Sequence, residues 1–243
     1  MLCFNARSVK YETHLLTTVQ EIRERGFVVI ADVISPAVVA SLLAELQGLL
    51  LNGSRQAGLR NVFQVSPLSR SLAHSETLQS LIRLILGSEV KCVRGLYFDK
   101  RREANWKVSW HQDLTIAVKQ KSEVPGYGPW SRKAGVMHVQ PPADVLQRMV
   151  SLRLHLDEAN EKNGALFVLP GSHRFGKLNP SAIENFKHKI PPEVCAVSRG
   201  GVMLMRPLLV HSSSVVSAPT HRRVLHVEYA SGELGGGLEW DSV

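Results

Sequence analysis

The hydrophobic rhythm of this chain changes once. Over roughly the first ninety residues apolar positions recur every three to four residues, across Glu12–Arg25, Ala37–Leu50 and Leu78–Leu86, which predicts amphipathic helices. From Cys92 onward apolar and polar residues alternate, the two-residue period of strands with one buried face. Ser151–Asp157 is the clearest case: Leu152, Leu154 and Leu156 share one face, Arg153 and His155 the other. If the leucines pack on outer helices, the polar pair lines a cavity; if they fill a barrel, the pair is solvated. Val202–Val210 is a mostly apolar run, a polar stretch with Pro219 follows, and Val224–Tyr229 alternates again, predicting strand, turn, strand. The Gly- and Pro-rich piece from Ile116 to Met149 fits neither rhythm. Structureless segments longer than about fifteen residues usually serve a site or are disordered, so Tyr127, Trp130, His138 and Pro141-Pro142 read either as a lid or as a surface excursion.

Composition narrows the picture. The chain has 243 residues and 44% apolar content, enough for a substantial core, and no linker, repeat or low-complexity tract divides it, so one domain over 1–243 is expected. Cys3, Cys92 and Cys195 are scattered without a CxxC pair, which suggests neither a disulfide framework nor a thiolate zinc site. No basic leader precedes a long apolar core and no stretch approaches about eighteen consecutive apolar residues. The expectation is a cytoplasmic protein with no membrane partner. A net charge of +8 and a pI near 9.6 favour anionic partners by steering alone. The basic groups, such as Lys100-Arg101-Arg102 and Lys119-Gln120-Lys121, match no nucleic-acid motif and read as solvated surface. Lys100 to Lys107, just before the histidine motif described next, is also placed to form a basic rim for a phosphorylated, carboxylated or coenzyme A-linked substrate.

The chemistry concentrates in Trp110-His111-Gln112-Asp113 and in His211 and Arg222 about a hundred residues later. In an extended strand His111 and Asp113 project together while Gln112 points away. A histidine from a distant strand, His211, completes a face of two imidazoles and one carboxylate, the ligand set that leaves the opposite positions of an Fe(II) open; zinc takes the same ligands. Arg222 opens the returning strand with a planar fork suited to a carboxylate, and Ser213, two residues past His211, adds a hydroxyl on that side.

These motifs resemble the phytanoyl-CoA dioxygenase family of Fe(II)/2-oxoglutarate-dependent oxygenases. Trp110–Asp113 is similar to its first metal motif, Asn163-Gly164-Ala165-Leu166 running into Pro170-Gly171-Ser172-His173 to its central hairpin, and His211 through Arg222 to its closing motif; Gly26–Ile30 and the helix near Pro36 to Leu51 fit its opening. The resemblance implies a mainly β fold with flanking helices: a double-stranded β-helix, or cupin-like jelly roll, over about 91–232 with a helical part over about 1–90. It implies Fe(II) on His111, Asp113 and His211, the co-substrate 2-oxoglutarate on Arg222 and Ser213, and dioxygen as oxidant, with hydroxylation releasing succinate and carbon dioxide. Arg153 falls where better-known members place a tryptophan against 2-oxoglutarate, and permits an extra contact to the co-substrate or to an acidic substrate. Leu96 replaces a methionine there and keeps an apolar wall. Members act on acyl thioesters, osmolytes and natural products, so the resemblance implies a small-molecule or acyl substrate, anionic if the basic rim recruits it.

Other histidines read as structural. His173 suits a turn-stabilising hydrogen bond, His221 and His226 lie near the arginine clamp with His226 sharing its parity, and His14, His74 and His188 have polar neighbours. Two rival classes are a noncatalytic or differently metallated jelly roll and a nucleic-acid or phospho-ligand binding module. Oligomeric state is open.

Overall fold

In the computed structural model, which describes residues 16–50, 57–216 and 221–241, the change of rhythm becomes a change of layer. Helix α1 (16–24) leads into β1 (Phe27–Ile30), α2 (Pro36–Leu50) and β2 (Gly58–Arg60). Three helices follow: α3 (Val62–Val65), α4 (Pro67–Ala73) and α5 (Glu76–Leu86). Ser66 caps α4 by accepting from Ser69 N, with Pro67 supplying a preset φ in the first turn. Cys3, His14, the start of the predicted Glu12–Arg25 helix and the Ser217–Thr220 part of the predicted turn lie outside the described residues.

From β3 (Val90–Lys100) the chain is mostly strand: β4 (Val108–His111), β5 (Ile116–Val118), β6 (Trp130–Lys133) and β7 (Val136–Val139), then helix α6 (Ala143–Gln147). β8 (Met149–His155), β9 (Leu166–Val168), helix α7 (Pro180–Lys189), β10 (Glu193–Cys195), β11 (Val202–Met205), β12 (His211–Ser213) and β13 (Arg222–Ser231) complete it. One sheet runs β1-β11-β8-β13-β3-β2, a second β10-β9-β12-β4, and every pairing is antiparallel. This is the jelly roll expected, with two strands from before residue 91, β1 and β2, added to the edges of the larger sheet.

Helices cover the outer face of the larger sheet. Leu152, Leu154, Val202, Leu204, Leu225, Val227 and Tyr229 form one core with Leu42, Leu46, Leu78 and Ile82. Each fully buried leucine contributes on the order of 1.5–3 kcal/mol, and in β8 that preference decides which face turns outward. Arg153 and His155 are therefore forced inward, as are Arg222, His226 and Glu228 of β13 by the same alternation. The inter-sheet space is apolar around Phe27, Leu166, Val168, Met203 and Met205 and polar beside β13.

The segment predicted as an irregular Gly/Pro-rich piece is largely regular. β5, β7 and β6 make a three-stranded sheet. Tyr127 and Trp130 pack with Ile116, Val139, Leu146 and Trp240 in a core of their own, and His138 is buried. The β6–β7 tip reaches the end of β2, where Asn61 Nδ2 donates to Ala134 O at 3.1 Å. None of the helices among the described residues is long and apolar enough to cross a membrane.

The corner between α1 and β1 holds the Pro170-Gly171-Ser172-His173 turn in place. His173 Nε2 meets Arg23 O at 3.1 Å, Gly171 N donates to Arg25 O, and Ser172 Oγ accepts from Val210 N, beside His211. Gly26 sits at φ +86°, and a Cβ there would lie 2.4 Å from His173 Nδ1. Gly26→Ala should cost about 2–4 kcal/mol, combining left-handed strain with overpacking. A lowered urea midpoint with unchanged m-value checks this; an unchanged midpoint would mean the corner does not constrain the turn.

Candidate active site

His111 ends β4 and His211 begins β12, and the two are direct cross-strand partners. Their ring centroids lie 4.3 Å apart. Asp113 follows past the end of β4, its amide held by Pro207 O at 2.9 Å. Asp113 Oδ1 is 3.7 Å from His111 Nε2 and Oδ2 is 3.8 Å from His211 Nε2. Ligand atoms from the three residues all lie within 4.8 Å of one another. Gln112 points the other way and is buried; its Nε2 donates to Gly176 O and Leu208 O, and its Oε1 accepts from Leu178 N. That anchor turns the chain so that its neighbours converge.

These residues fit a metal ion. His111 Nδ1 lies 2.9 Å from Ser109 O and His211 Nδ1 lies 2.9 Å from Leu209 O. A carbonyl only accepts, so each Nδ1 carries the proton and each Nε2 presents its lone pair to the centre. Burial, with the His111 charge adding to it, pushes His211 down to about 4 although Asp113 opposes, so the imidazole is neutral and ready to ligate. Burial works to raise the Asp113 carboxyl, but His211, His226, His111 and Arg153 outweigh it and hold it below its ordinary value. The His211 side chain is 5% exposed against 39% for His111 and 38% for Asp113, so the approach to the centre lies over the latter two.

The cavity holding this centre, of about 240 Å³, is lined by Arg153, Arg222, Ser213, Leu96, Phe98 and His226 among others. Every residue singled out in the sequence as ligand or co-substrate contact therefore meets in one place. Arg222 is buried, opposite Lys100 in the β13–β3 register. Its Nε and Nη1 have no hydrogen-bond partner among the described residues. Burial, then Arg153, pushes its guanidinium down to about 9. A buried cation with unused donors is costly unless an anion meets it, so this end of the cavity suits a carboxylate. Ser213 is less free than its position suggested: its hydroxyl donates to Gly164 O at 3.0 Å and accepts from Lys100 Nζ at 2.8 Å.

Lys100 is the residue the sequence misplaced. It was read as part of a basic rim, yet it is fully buried, with Nζ on Ser213 Oγ and Ser214 O and 5.3 Å from the Trp106 ring centroid. Burial, Arg222 and Arg153 together push its ammonium down to about 8. Two further links emerge beside it. Arg153 Nη1 donates to His226 Nδ1 at 3.1 Å, His226 Nε2 stands 3.5 Å from Glu228 Oε1, and Arg94 Nη1 reaches the same oxygen at 3.1 Å. His226 is thus a cavity residue, whereas His221 pairs with Asp99 at 2.7 Å, His173 stays in its turn, and His74 bonds its own helix at Arg70 O. His155 is buried, with neither ring nitrogen bonded among the described residues, and burial, Arg153 and Arg222 hold it well below 6.5.

That last shift predicts a pH effect. Between the depressed folded value of His155 and 6.5, the unfolded chain binds a proton that the folded protein refuses, so stability is full above that window and falls as pH drops through it. In metal-free protein, His155→Phe should flatten the slope of unfolding free energy against pH there by up to about 1.4 kcal/mol per unit. Urea unfolding at a series of pH values reads it; an unaltered slope would show that His155 titrates normally.

Comparison with known proteins follows from this geometry. The Phytanoyl-CoA dioxygenase (PhyH) family model matches residues 22–224. The chain belongs to the phytanoyl-CoA dioxygenase family. Among curated members it is 24% identical over 195 residues to Phytanoyl-CoA dioxygenase domain-containing protein 1 of Mus musculus, covering 72% of this chain and 57% of that protein. It is 25% identical over 171 residues to the Ectoine dioxygenase of Streptomyces anulatus, covering 68% and 54%. The chain thus spans little more than half the length of these relatives. Of solved structures, the epimerase SnoN in complex with Fe3+, alpha ketoglutarate and nogalamycin RO superposes with TM-score 0.70 at 17% identity, covering 90% of this chain and 84% of that one. EctD from S. alaskensis with 2-oxoglutarate and 5-hydroxyectoine gives 0.68 at 20%, covering 94% and 76%. These likenesses establish the shared jelly-roll fold.

Proposed function

We propose that this member of the phytanoyl-CoA dioxygenase family is a non-haem Fe(II)- and 2-oxoglutarate-dependent dioxygenase that hydroxylates a small organic or acyl substrate and releases succinate and carbon dioxide. The observation carrying the reading is the pairing, in one cavity, of three converging ligand atoms, with both histidines in the ligating tautomer, and a buried guanidinium whose Nε and Nη1 have no partner among the described residues. His111, Asp113 and His211 would hold the metal, and two imidazoles with one carboxylate are the ligand set of non-haem Fe(II) sites that keep positions open for other ligands. When bound, Fe(II) and 2-oxoglutarate supply the oxidising chemistry, in which dioxygen and the co-acid yield succinate, carbon dioxide and one oxygen atom inserted into a C–H bond.

The chain's own residues position and shield. Arg222 receives the far carboxylate of the co-acid, with Lys100 and Ser213 behind it lending positive charge. Arg153, fixed by His226, adds a second cation facing the metal end. Leu96 and Phe98 supply apolar wall that excludes water. The curated Ectoine dioxygenase relatives and the 2-oxoglutarate-bound EctD structure support this class of chemistry.

The deciding experiment is an anaerobic titration of 2-oxoglutarate into the Fe(II) protein, followed by oxygen and quantitation of succinate. A metal-to-ligand charge-transfer band and succinate formation, both lost in His111→Ala, are expected. Metal binding without the band would overturn the reading in favour of a metal-binding jelly roll with other chemistry.

A further inference from the structure

We infer that the substrate is an oxyanion, a carboxylate or phosphate, carried on an apolar body, and that Arg60 and Lys133 receive the anion at the mouth of the metal cavity. The word substrate rests on the dioxygenase reading; the binding claim stands on the following geometry.

The metal cavity is small. Its volume of about 240 Å³ falls below the range of roughly 300–1,000 Å³ usual for small-molecule sites. A second cleft of about 510 Å³ adjoins it and shares Arg60, Leu96, Phe98 and Trp106 with it. Leu59, Leu96, Phe98 and Trp106 make that cleft apolar and partly aromatic. A molecule lying across both would place its body against these residues and its anion where the two spaces meet.

Two cations flank that junction, Arg60 lining both spaces and Lys133 the metal cavity. Arg60 pairs with Leu96 in the β2–β3 register, which sets it on the inner face at the sheet's edge. Lys133 ends β6, and the Asn61–Ala134 hydrogen bond pins that tip beside β2. The segment from Ile116 to Met149 thus builds one jaw of the mouth, and its tip presents an ammonium. Burial, then Arg94 and Arg60, lower the Lys133 ammonium, and Glu228 and Asp113 oppose more weakly.

The charges around the cavity leave these two cations over. Arg60, Arg94, Lys133, Arg153 and Arg222 line it against two carboxylates, Asp113 and Glu228. Arg94 is engaged by Glu228 at 3.1 Å. A divalent metal and a dianionic co-acid would cancel each other, so a surplus of three positive charges remains; Arg153 and Arg222 lie toward the Asp113 end and Arg60 and Lys133 toward the mouth. The Arg60 side chain makes no hydrogen bond or ion pair among the described residues, and the Lys133 Nζ contact is Thr115 Oγ1 at 3.3 Å. Two adjacent cations without a carboxylate, next to an apolar cleft, suit an amphiphilic anion.

The test uses calorimetry with 3-phenylpropanoate, phenyl phosphate and the neutral 3-phenylpropanamide. Each is titrated into the Fe(II) protein under anaerobic conditions, with and without saturating 2-oxoglutarate. One or both anions should bind at least about tenfold more tightly than the amide, and the tighter one names the oxyanion. The preference should persist with 2-oxoglutarate present. The Arg60→Gln/Lys133→Gln double variant should abolish it, and the exposed control Lys121→Gln should not. Both positions are at the surface end of the cavity, and a circular dichroism spectrum confirms the fold. Equal affinity for anion and amide overturns the inference, as does a preference that survives the double variant or disappears when 2-oxoglutarate is added, which would place the anion on Arg222. Because the charge-transfer band is recorded on the same samples, loss of the band with the anion preference intact sinks the dioxygenase reading alone.

Discussion

Methionine at Arg222 should make the metal-free protein more stable and unable to hold 2-oxoglutarate. The two effects have one origin. Arg222 is buried beside Arg153 and Lys100, and Nε and Nη1 find no partner among the described residues. Folding therefore desolvates a guanidinium and sets it against like charge without a return in hydrogen bonds. Replacing such a group by an apolar one of similar volume commonly gains 1–4 kcal/mol; about 1–2 kcal/mol is expected here, because neutralising one charge also relieves Lys100 and Arg153. Removing one half of a buried carboxylate–guanidinium pair costs about 2–5 kcal/mol of binding, so the dissociation constant for 2-oxoglutarate should rise by roughly a hundredfold. Urea unfolding of metal-free protein and the anaerobic charge-transfer titration read the two sides. A variant that is less stable and still binds the co-acid normally would make Arg222 a structural residue.

Alanine at His211 should reduce metal affinity by more than about a hundredfold and succinate formation to background. Altering a group that merely orients a ligand already costs about 10–100-fold, and of the three proposed ligands His211 is the one the fold prepares most completely. It is the least exposed of the three, its tautomer is set by Leu209 O, and its strand is held through Ser172 and Val210. Cobalt(II) absorption titration measures the affinity without relying on turnover. Tight cobalt binding by His211→Ala would show that the metal, if any, sits elsewhere. Gln112→Ala is the instructive companion: losing three hydrogen bonds, one buried and two part-buried, should misalign His111 and Asp113 and lower metal affinity by about tenfold while leaving the three candidate ligands in place.

The parts of this molecule that were legible in its sequence are those governed by local period and by ligand chemistry. Two-residue alternation in β8 and β13 showed which residues share a face, but it left open which face looks inward; the helices that cover the leucines and valines decide that. The His111, Asp113, His211, Arg222 series was readable since each residue type has a narrow range of chemical uses. Lys100 was not readable. It lies among Asp99, Arg101 and Arg102, which is the composition of a solvated turn, and only the β13–β3 register, a long-range pairing, carries it opposite Arg222. The β6–β7 hairpin was missed for a related reason: Trp130-Ser131-Arg132-Lys133 has no clean apolar face, and Trp130 finds its apolar partners in a second cluster built from distant parts of the chain, among them Val93, Met149 and Ala230. Ser213 was legible as a position but not as a bond, because Gly164 and Lys100 compete for its hydroxyl from distant parts of the chain.

β4 is the outer strand of its sheet, joined to β12 with an irregular register. An outer strand offers unpaired backbone groups to any neighbour, and natural proteins guard against that by covering or fastening it. A metal held jointly by His111 and His211 would be such a fastener, closing a loop of about a hundred residues that the chain alone must close entropically. Chelator treatment would then loosen the edge before it touches the core, and strand-mediated self-association on warming, rather than simple unfolding, becomes the expected fate of metal-stripped protein in storage.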